Sequence, residues 1–310
     1  MTRDVPPAAP REKYSETVPG EPLISFKDVR IGFDETDVLQ GISFDVWPGE
    51  TKVLLGESGT GKTLIMKLAA GLLRPDAGRV TVMGQDVGDM PEKELLNFRR
   101  HIGFVFQEGA LFDSMTVAEN VSFRMDEENV NESEIETRVR EALRFVELEP
   151  AIEKYPGELS GGMRRRVSIA RALVDSPPIV FYDSPTAGLD PVTCQTIISL
   201  ILRGRDSQGV TSLLATQRVQ DAFGLANFRF DKATGHIARE KTNGEAPQSP
   251  ATASAAKTGV DAGASGAEGP EFSPTNVLVL RSGKIYFEGP ANELLHSSDE
   301  YLKEFLASAE

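Results

Sequence analysis

Eight consecutive residues constrain this chain more than any others: Gly56-Glu57-Ser58-Gly59-Thr60-Gly61-Lys62-Thr63. They follow a short apolar run, Lys52 to Leu55, that reads as a strand. They open a segment, Lys62 to Leu73, that reads as a helix and is stopped by Arg74-Pro75-Asp76-Ala77-Gly78. Strand, glycine-rich turn and helix start, in that order, are the context the P-loop pattern requires. The alternative, a glycine-rich turn with no ligand, does not call for those flanks. Glycines let backbone N–H groups curl around phosphate oxygens, and the helix N-terminus adds a partial positive charge. Lys62 is then placed to reach β- and γ-phosphates, and the Thr63 hydroxyl to ligate Mg²⁺.

The remaining chain supplies a parallel sheet for that loop to sit on. Residues 23–30 and 42–47 read as strands, with a turn at Trp47-Pro48-Gly49-Glu50, and Arg79 to Met83 as another. Pro91 at a first helical position predicts a helix to about Arg100. Ile102–Phe106, Pro177–Tyr182 and residues 210–215 are strands apolar on both faces. They alternate with helical stretches at about 117–173 and 192–203. In the first of these, Ile135, Val139, Leu143 and Val146 recur at helical spacing. That alternation means an α/β protein, a parallel sheet covered by helices. Val277–Leu280 and Lys284–Phe287 predict a hairpin, with short helices at 291–296 and 298–308. Residues 1–20 and the segment at about 235–275, rich in Ala, Gly, Ser, Thr and Pro, are expected to be a disordered tail and insertion.

Composition excludes several classes. There are 33 Lys and Arg against 47 Asp and Glu, a net charge of −14, which disfavours bulk DNA or RNA as partner. Arg164-Arg165-Arg166 is accordingly read as a solvated helix face. No apolar run approaches the roughly 20 residues of a membrane helix. The first 20 residues hold no apolar h-region, so no secretory signal is expected. Cys194 is the single cysteine, which forbids an internal disulfide and fits a reducing compartment.

Three further segments carry chemistry. Ile179-Val180-Phe181-Tyr182-Asp183 is an apolar strand ending in a carboxylate that could hold Mg²⁺ or its water. Leu159-Ser160-Gly161-Gly162-Met163 opens a helix, where a hydroxyl and two glycine amides make a second anion site. Gln107 ends a strand. Together with the P-loop these segments resemble the ATP-binding cassette (ABC) ATPases over about residues 22–230 and 277–296. The resemblance implies a RecA-like P-loop NTPase core with an ABC helical signature subdomain, at about 112–174, and a small antiparallel β portion. The ATPase domain would span 21–296, with residues 297–310 as a C-terminal helix or tail. It implies ATP and Mg²⁺ as cofactors, with Thr63, Gln107 and Asp183 at the metal. Phe33 would stack on adenine, unless it is a core phenylalanine. Gly56 to Thr63 would hold the phosphates, and Ser160, Gly161 and Gly162 would close over a partner's γ-phosphate. Gly188-Leu189-Asp190 matches the loop that crosses the dimer interface. The implied partners are a second ATPase subunit, most simply an identical copy, and an integral membrane permease. The implied location is the cytoplasmic face of the inner membrane.

Two positions depart from that family. Ser184 stands where the glutamate that polarises the attacking water is expected, and Gln217 where the switch histidine is expected. A neutral serine cannot serve as the same base, and losing a positioned base typically costs about 10²–10⁴-fold in rate. Gln217 could still orient water. The sequence therefore leaves open a slow or conditional ATPase, an ATP-dependent clamp or regulator, and an introduced Glu-to-Ser change that traps the ATP-bound state. Glu57 and Glu108 are candidate substitute bases, with solvated loop charge as the plainer reading.

Phe106-Gln107-Glu108-Gly109-Ala110-Leu111-Phe112 resembles the ATPases of MCE (mammalian cell entry) lipid transport systems. So do the Met163 of the signature and the C-terminal Tyr301-Leu302-Lys303-Glu304-Phe305-Leu306. That implies phospholipid transport and an MCE lipid-binding protein in the complex, with a generic importer ATPase as the alternative. Ala110, Leu111 and Phe112 would then border the groove that takes a permease helix.

Overall fold

The computed structural model describes residues 20–34, 36–128, 130–239 and 274–308. The expected tail at 1–19 and the expected disorder at 240–273 lie outside the described residues. A six-stranded sheet forms the centre, in the order β12-β11-β3-β8-β7-β6. Its strands are β3 (Thr51–Leu55), β6 (Ile102–Val105), β7 (Ile179–Asp183), β8 (Thr211–Thr216), β11 (Thr275–Arg281) and β12 (Lys284–Pro290). All neighbours pair parallel except β11 and β12, which form the expected hairpin at one edge.

The apolar runs of the central strands have a direct structural use. Successive side chains point to opposite faces. Val53 and Leu55 pack into one core while Leu54 packs into the other; Val180 and Tyr182 separate from Ile179 and Phe181 in the same way. Each such buried aliphatic or aromatic side chain contributes about 1.5–3 kcal/mol. The first core lies under α3 (Val117–Glu127), α4 (Glu132–Phe145), α5 (Gly161–Leu173), α6 (Pro191–Gln208) and α7 (Val219–Asn227). The second lies under α1 (Lys62–Ala69), α2 (Glu92–Arg99) and an antiparallel sheet ordered β2-β1-β4-β5. That sheet comprises β1 (Ile24–Phe33), β2 (Thr36–Val46), β4 (Ala77–Val82) and β5 (Gln85–Asp86).

Several boundaries differ from the sequence reading. β2 begins at Thr36, because residues 36–41 pair with β1 in a long hairpin that alternation alone did not reveal. Pro91 caps α2 from an extended backbone (ψ 149°), so the helix starts at Glu92. The helical stretch at 117–173 is three helices, α3, α4 and α5, with short 3-10 turns at Glu149–Ala151 and Pro156–Glu158 between α4 and α5. The insertion drawn at 235–275 was too wide. His236–Arg239 (β10) pairs with Phe228–Asp231 (β9), and Thr275 already pairs with Thr51. The C-terminal segment is helical. After α8 (Ala291–Leu295), α9 (Glu300–Ser308) buries Leu302 and Phe305 in the first core. No helix among the described residues is long and apolar enough to cross a membrane.

Candidate functional site

Register brings the chemistry to one edge. Parallel pairing sets Leu55 beside Thr216, Asp183 beside Ala215, and Val105 beside Tyr182. Four strand carboxyl ends therefore lie in a row, the position where open α/β sheets bind ligands. The loops that follow carry Gly56–Lys62, Gln217, Ser184 and Gln107.

The glycine loop is sterically committed. Gly56 has φ 151°, and a Cβ there would lie 2.7 Å from the Leu280 carbonyl oxygen. Gly61 has φ 98°, and a Cβ there would lie 2.6 Å from Leu39 Cδ2 of β2. The loop is thus wedged between β11 and the β1–β2 hairpin. Lys62 folds back over it: Nζ donates to the Gly56 carbonyl at 2.8 Å, the Glu57 carbonyl at 2.6 Å and Thr60 Oγ1 at 3.4 Å. Burial lowers the Lys62 pKa from its ordinary value, against the opposing charges of Asp183 and Glu57. A desolvated ammonium whose three protons go to neutral acceptors is well placed to exchange them for an anion.

Across the sheet edge, Thr63 Oγ1 donates to Asp183 Oδ2 at 2.9 Å, and Ser184 Oγ reaches Asp183 Oδ1 at 3.3 Å. A cleft of about 300 Å³ is lined by Ser58, Gly59, Gly61, Lys62, Thr63, Gln107, Asp183, Ser184 and Gln217, among others. The structure thus gathers from four loops what the sequence held far apart. The hydroxyl, carboxylate and side-chain amide of Thr63, Asp183 and Gln107 form a hard oxygen donor set that suits Mg²⁺. The cation of Lys62 and the free amides at the start of α1 suit a polyphosphate.

The other expected site residues fall elsewhere. Phe33 ends β1, half exposed, and is not among the residues lining this cleft. Ser160 caps α5, accepting the Met163 N–H at 3.2 Å, and a Cβ on Gly162 would meet Thr193 Cγ2 at 2.5 Å. Gly161 lines a second cleft with Gln107, Glu108, Arg164, Arg165, Ala187, Gly188 and Leu189. The signature turn and the P-loop therefore open into different clefts, and Gln107 borders both. Asp190 caps α6, accepting from Val192 and Thr193 N–H and from Thr193 Oγ1, and that hydroxyl bond lowers its pKa. Neither Glu57 nor Glu108 lines the Lys62 cleft.

Sequence reasoning missed four supporting residues. Arg165, read as solvated, is 5% exposed and donates to the Phe106 carbonyl, just before Gln107. Arg171 donates to the Gly109 and Ala110 carbonyls just after it, at 2.9 and 2.8 Å, so α5 grips the glutamine loop from both sides. Asn120 is fully buried; it accepts the Phe112 N–H at 2.7 Å and donates to the carbonyls of Phe112, Met115 and Thr116. Asp221, on α7, is bonded to Thr186 and Thr216. A polar residue on a helix gives no sign of burial; only the loop packed on it does.

With that geometry established, comparison places the chain among known proteins. The family described as "ABC transporter" matches residues 39–187. The sulfate/thiosulfate import ATP-binding protein CysA of Caulobacter vibrioides is 36% identical over 234 residues, 74% of this chain and 68% of that protein. The protein TRIGALACTOSYLDIACYLGLYCEROL 3, chloroplastic, of Arabidopsis thaliana is 42% identical over 188 residues, 58% of this chain and 54% of that protein. The solved structure of cbiO1 from Clostridium perfringens, part of the ABC transporter complex cbiONQ, superimposes with a TM-score of 0.69 at 25% identity. It covers 88% of this chain and 90% of that one. This chain belongs to the ATP-binding proteins of ABC transporters, and its fold is that of an ABC ATPase cassette. It spans only 54% to 60% of the length of several curated relatives.

Proposed function

We propose that this chain is the ATP-binding subunit of an MCE-type lipid transporter, and that two copies close on two ATP molecules to drive it. The observation that carries the reading is the separation of two half-sites on one chain: Lys62 lines one cleft and Gly161, beside Ser160 in the signature turn, lines another. Neither alone surrounds a triphosphate. Two copies related by a two-fold axis would set the Ser160 hydroxyl and the Gly161 and Gly162 amides of each against the phosphates held by the other's Lys62. Lys62 gives up its loop carbonyls for phosphate oxygens, and Phe33 stacks on adenine. Thr63, Asp183 and Gln107 hold the metal. Bound Mg²⁺ supplies neutralisation of phosphate charge. Asp190 and its neighbours cross the dimer interface.

Turnover in this reading is slow. Ser184 points its hydroxyl at Asp183 Oδ1 and offers no base, so Gln217 is left to orient water. A clamp that closes on ATP with little hydrolysis is the second reading, favoured by that same bond. The permease would dock beside Phe112, which is 42% exposed and packs at a tilt against Phe123, ring centroids 4.7 Å apart. The lipid assignment is supported by the Gly109-Ala110-Leu111-Phe112 segment and by the galactolipid in the plant relative's name. Another relative is named for sulfate and thiosulfate. The chain would sit on the cytoplasmic face of the inner membrane, with an MCE lipid-binding protein in the complex and no nucleic acid.

Analytical ultracentrifugation with and without MgATP tests the closure: dimer formation with ATP that is lost in Lys62→Ala and in Ser160→Arg supports it, and an ATP-independent monomer overturns it. Pull-down of a permease that survives Phe112→Asp would count against the docking surface. Transfer of phospholipid between vesicles by the captured complex tests the cargo.

A further inference from the structure

Both altered positions, Ser184 and Gln217, hang on one buried oxygen. Asp221 lies in the first turn of α7 with 2% of its surface exposed. Its Oδ2 accepts from Thr186 Oγ1 at 2.5 Å and from Thr216 Oγ1 at 2.7 Å. Thr186 stands two residues after Ser184, and Thr216 immediately precedes Gln217; both threonines are buried. The tie extends into the backbone. Thr216 Oγ1 accepts the Arg218 N–H at 3.0 Å, the Ser184 N–H donates to the Ala215 carbonyl at 2.8 Å, and the Ala187 N–H to the Ser184 carbonyl at 3.1 Å. Because each threonine spends its single hydroxyl proton on Asp221, the Thr216 oxygen keeps lone pairs to fix the peptide after Gln217.

A carboxylate is a costly way to fill this space. Burial pushes the Asp221 carboxyl above its ordinary range, against the two hydroxyl bonds and the charge of Arg218. The Arg218 Nε is 3.5 Å from Oδ1, on a side chain 39% exposed. Buried ions are destabilising unless hydrogen bonds compensate them, so a neutral residue would serve better if shape were the only requirement. What a carboxylate oxygen adds is the capacity to accept two short bonds from two different loops at one point.

Resting on the nucleotide-binding reading above, we infer that Asp221 is a positioning residue for the catalytic edge. It locks the loop after β7 to the loop after β8, so that Ser184 and Gln217 meet the terminal phosphate as one rigid unit. The P-loop cradle does not depend on it, because none of the bonds that hold Lys62 or Gly56 involves α7.

The experiment compares the full chain with Asp221→Ala, Asp221→Asn and Thr216→Val. Hydrogen exchange of the ligand-free chains is followed at 184–187 and 216–218 and, as reference, at 56–63. MgATP affinity is measured by calorimetry, and ATP-driven dimerisation by ultracentrifugation. Asp221→Ala and Thr216→Val are expected to speed exchange about tenfold in the two tied segments only, the loss of about one net hydrogen bond. They weaken the ATP-bound dimer by about the same factor while MgATP affinity of the monomer stays within about threefold. Asp221→Asn, whose carbonyl oxygen can accept from both hydroxyls, recovers most of the loss. Unchanged exchange in Asp221→Ala, exchange that rises equally at 56–63, or an Asn variant as damaged as Ala overturns the inference. Should the unmodified chain fail to bind ATP, the nucleotide reading falls, while the exchange data on ligand-free protein still decide whether the tie exists.

Discussion

The cradle around Lys62 and the edge that carries Ser184 and Gln217 share one cleft but are built in opposite ways. The cradle is one continuous segment. Its shape follows from three glycines, the strand before it and the helix after it, and Lys62 is held by carbonyls five and six residues away. The catalytic edge is assembled from two strands, two loops and a helix, held by bonds between residues 35 apart (Thr186 and Asp221) and 120 apart (Thr63 and Asp183). The locally built half carries the glycines, the lysine and the hydroxyls expected to bind phosphate. The half built from distant pieces carries Ser184 and Gln217, at the positions where the resemblance implies a glutamate and a histidine. On the reading proposed above, binding and hydrolysis would be separable, since the hydrogen bonds of Lys62 involve neither Ser184 nor Gln217.

Four experiments break or sharpen that contrast. Ser184→Glu restores a carboxylate beside Asp183, and steady-state phosphate release is expected to rise about 10²–10⁴-fold. No rise would move the base elsewhere and dissolve the distinction. Lys62→Ala removes charge-assisted bonds worth about 1.5–3 kcal/mol. Calorimetry should show MgATP binding weakened about 10–100-fold, whereas Gln217→Ala should leave it nearly unchanged. Ser160→Ala deletes the cap of α5, at a cost of about 1 kcal/mol in thermal unfolding. It should weaken ATP-driven dimerisation without altering the monomer's ATP affinity. An equal loss in both would place the two half-sites in one cleft. The smallest effect is on pH dependence. Burial holds the Asp221 pKa above its unfolded value, so the folded state binds that proton more tightly than the unfolded chain does. As pH falls from neutral towards the carboxylate range, wild type should gain stability relative to Asp221→Asn. Denaturant melts of the pair at matched pH values measure it, and a difference that does not vary with pH would remove the buried ion.

Much of the site was legible because its signals are local. Glycines at fixed offsets before Lys62-Thr63, an apolar strand ending in Asp183, and Ser160 before a helix each declare themselves within a few residues. Even Ser184 and Gln217 could be placed by counting from those landmarks. The supporting residues were not legible. Arg165 sits in a run of three arginines that reads as a solvated face, yet its neighbour in space is the Phe106 carbonyl, 59 residues earlier. Asp221 looks like an ordinary charge in a helical first turn. Asn120 looks like a polar helix residue, until the 112–116 loop folds over it.

By itself the sequence determined the alternation of strands and helices and the glycine-rich strand–turn–helix around Lys62, because backbone conformation and side-chain chemistry within a short window decide each of these. The tertiary structure alone decided that Gln107 borders both clefts, that α5 grips its loop with two arginines, and that Asp221 joins the loops after β7 and β8. Those facts depend on parallel register and helix packing across long separations. A buried ion or hydrogen bond acquires its partner only when the sheet has brought distant segments together.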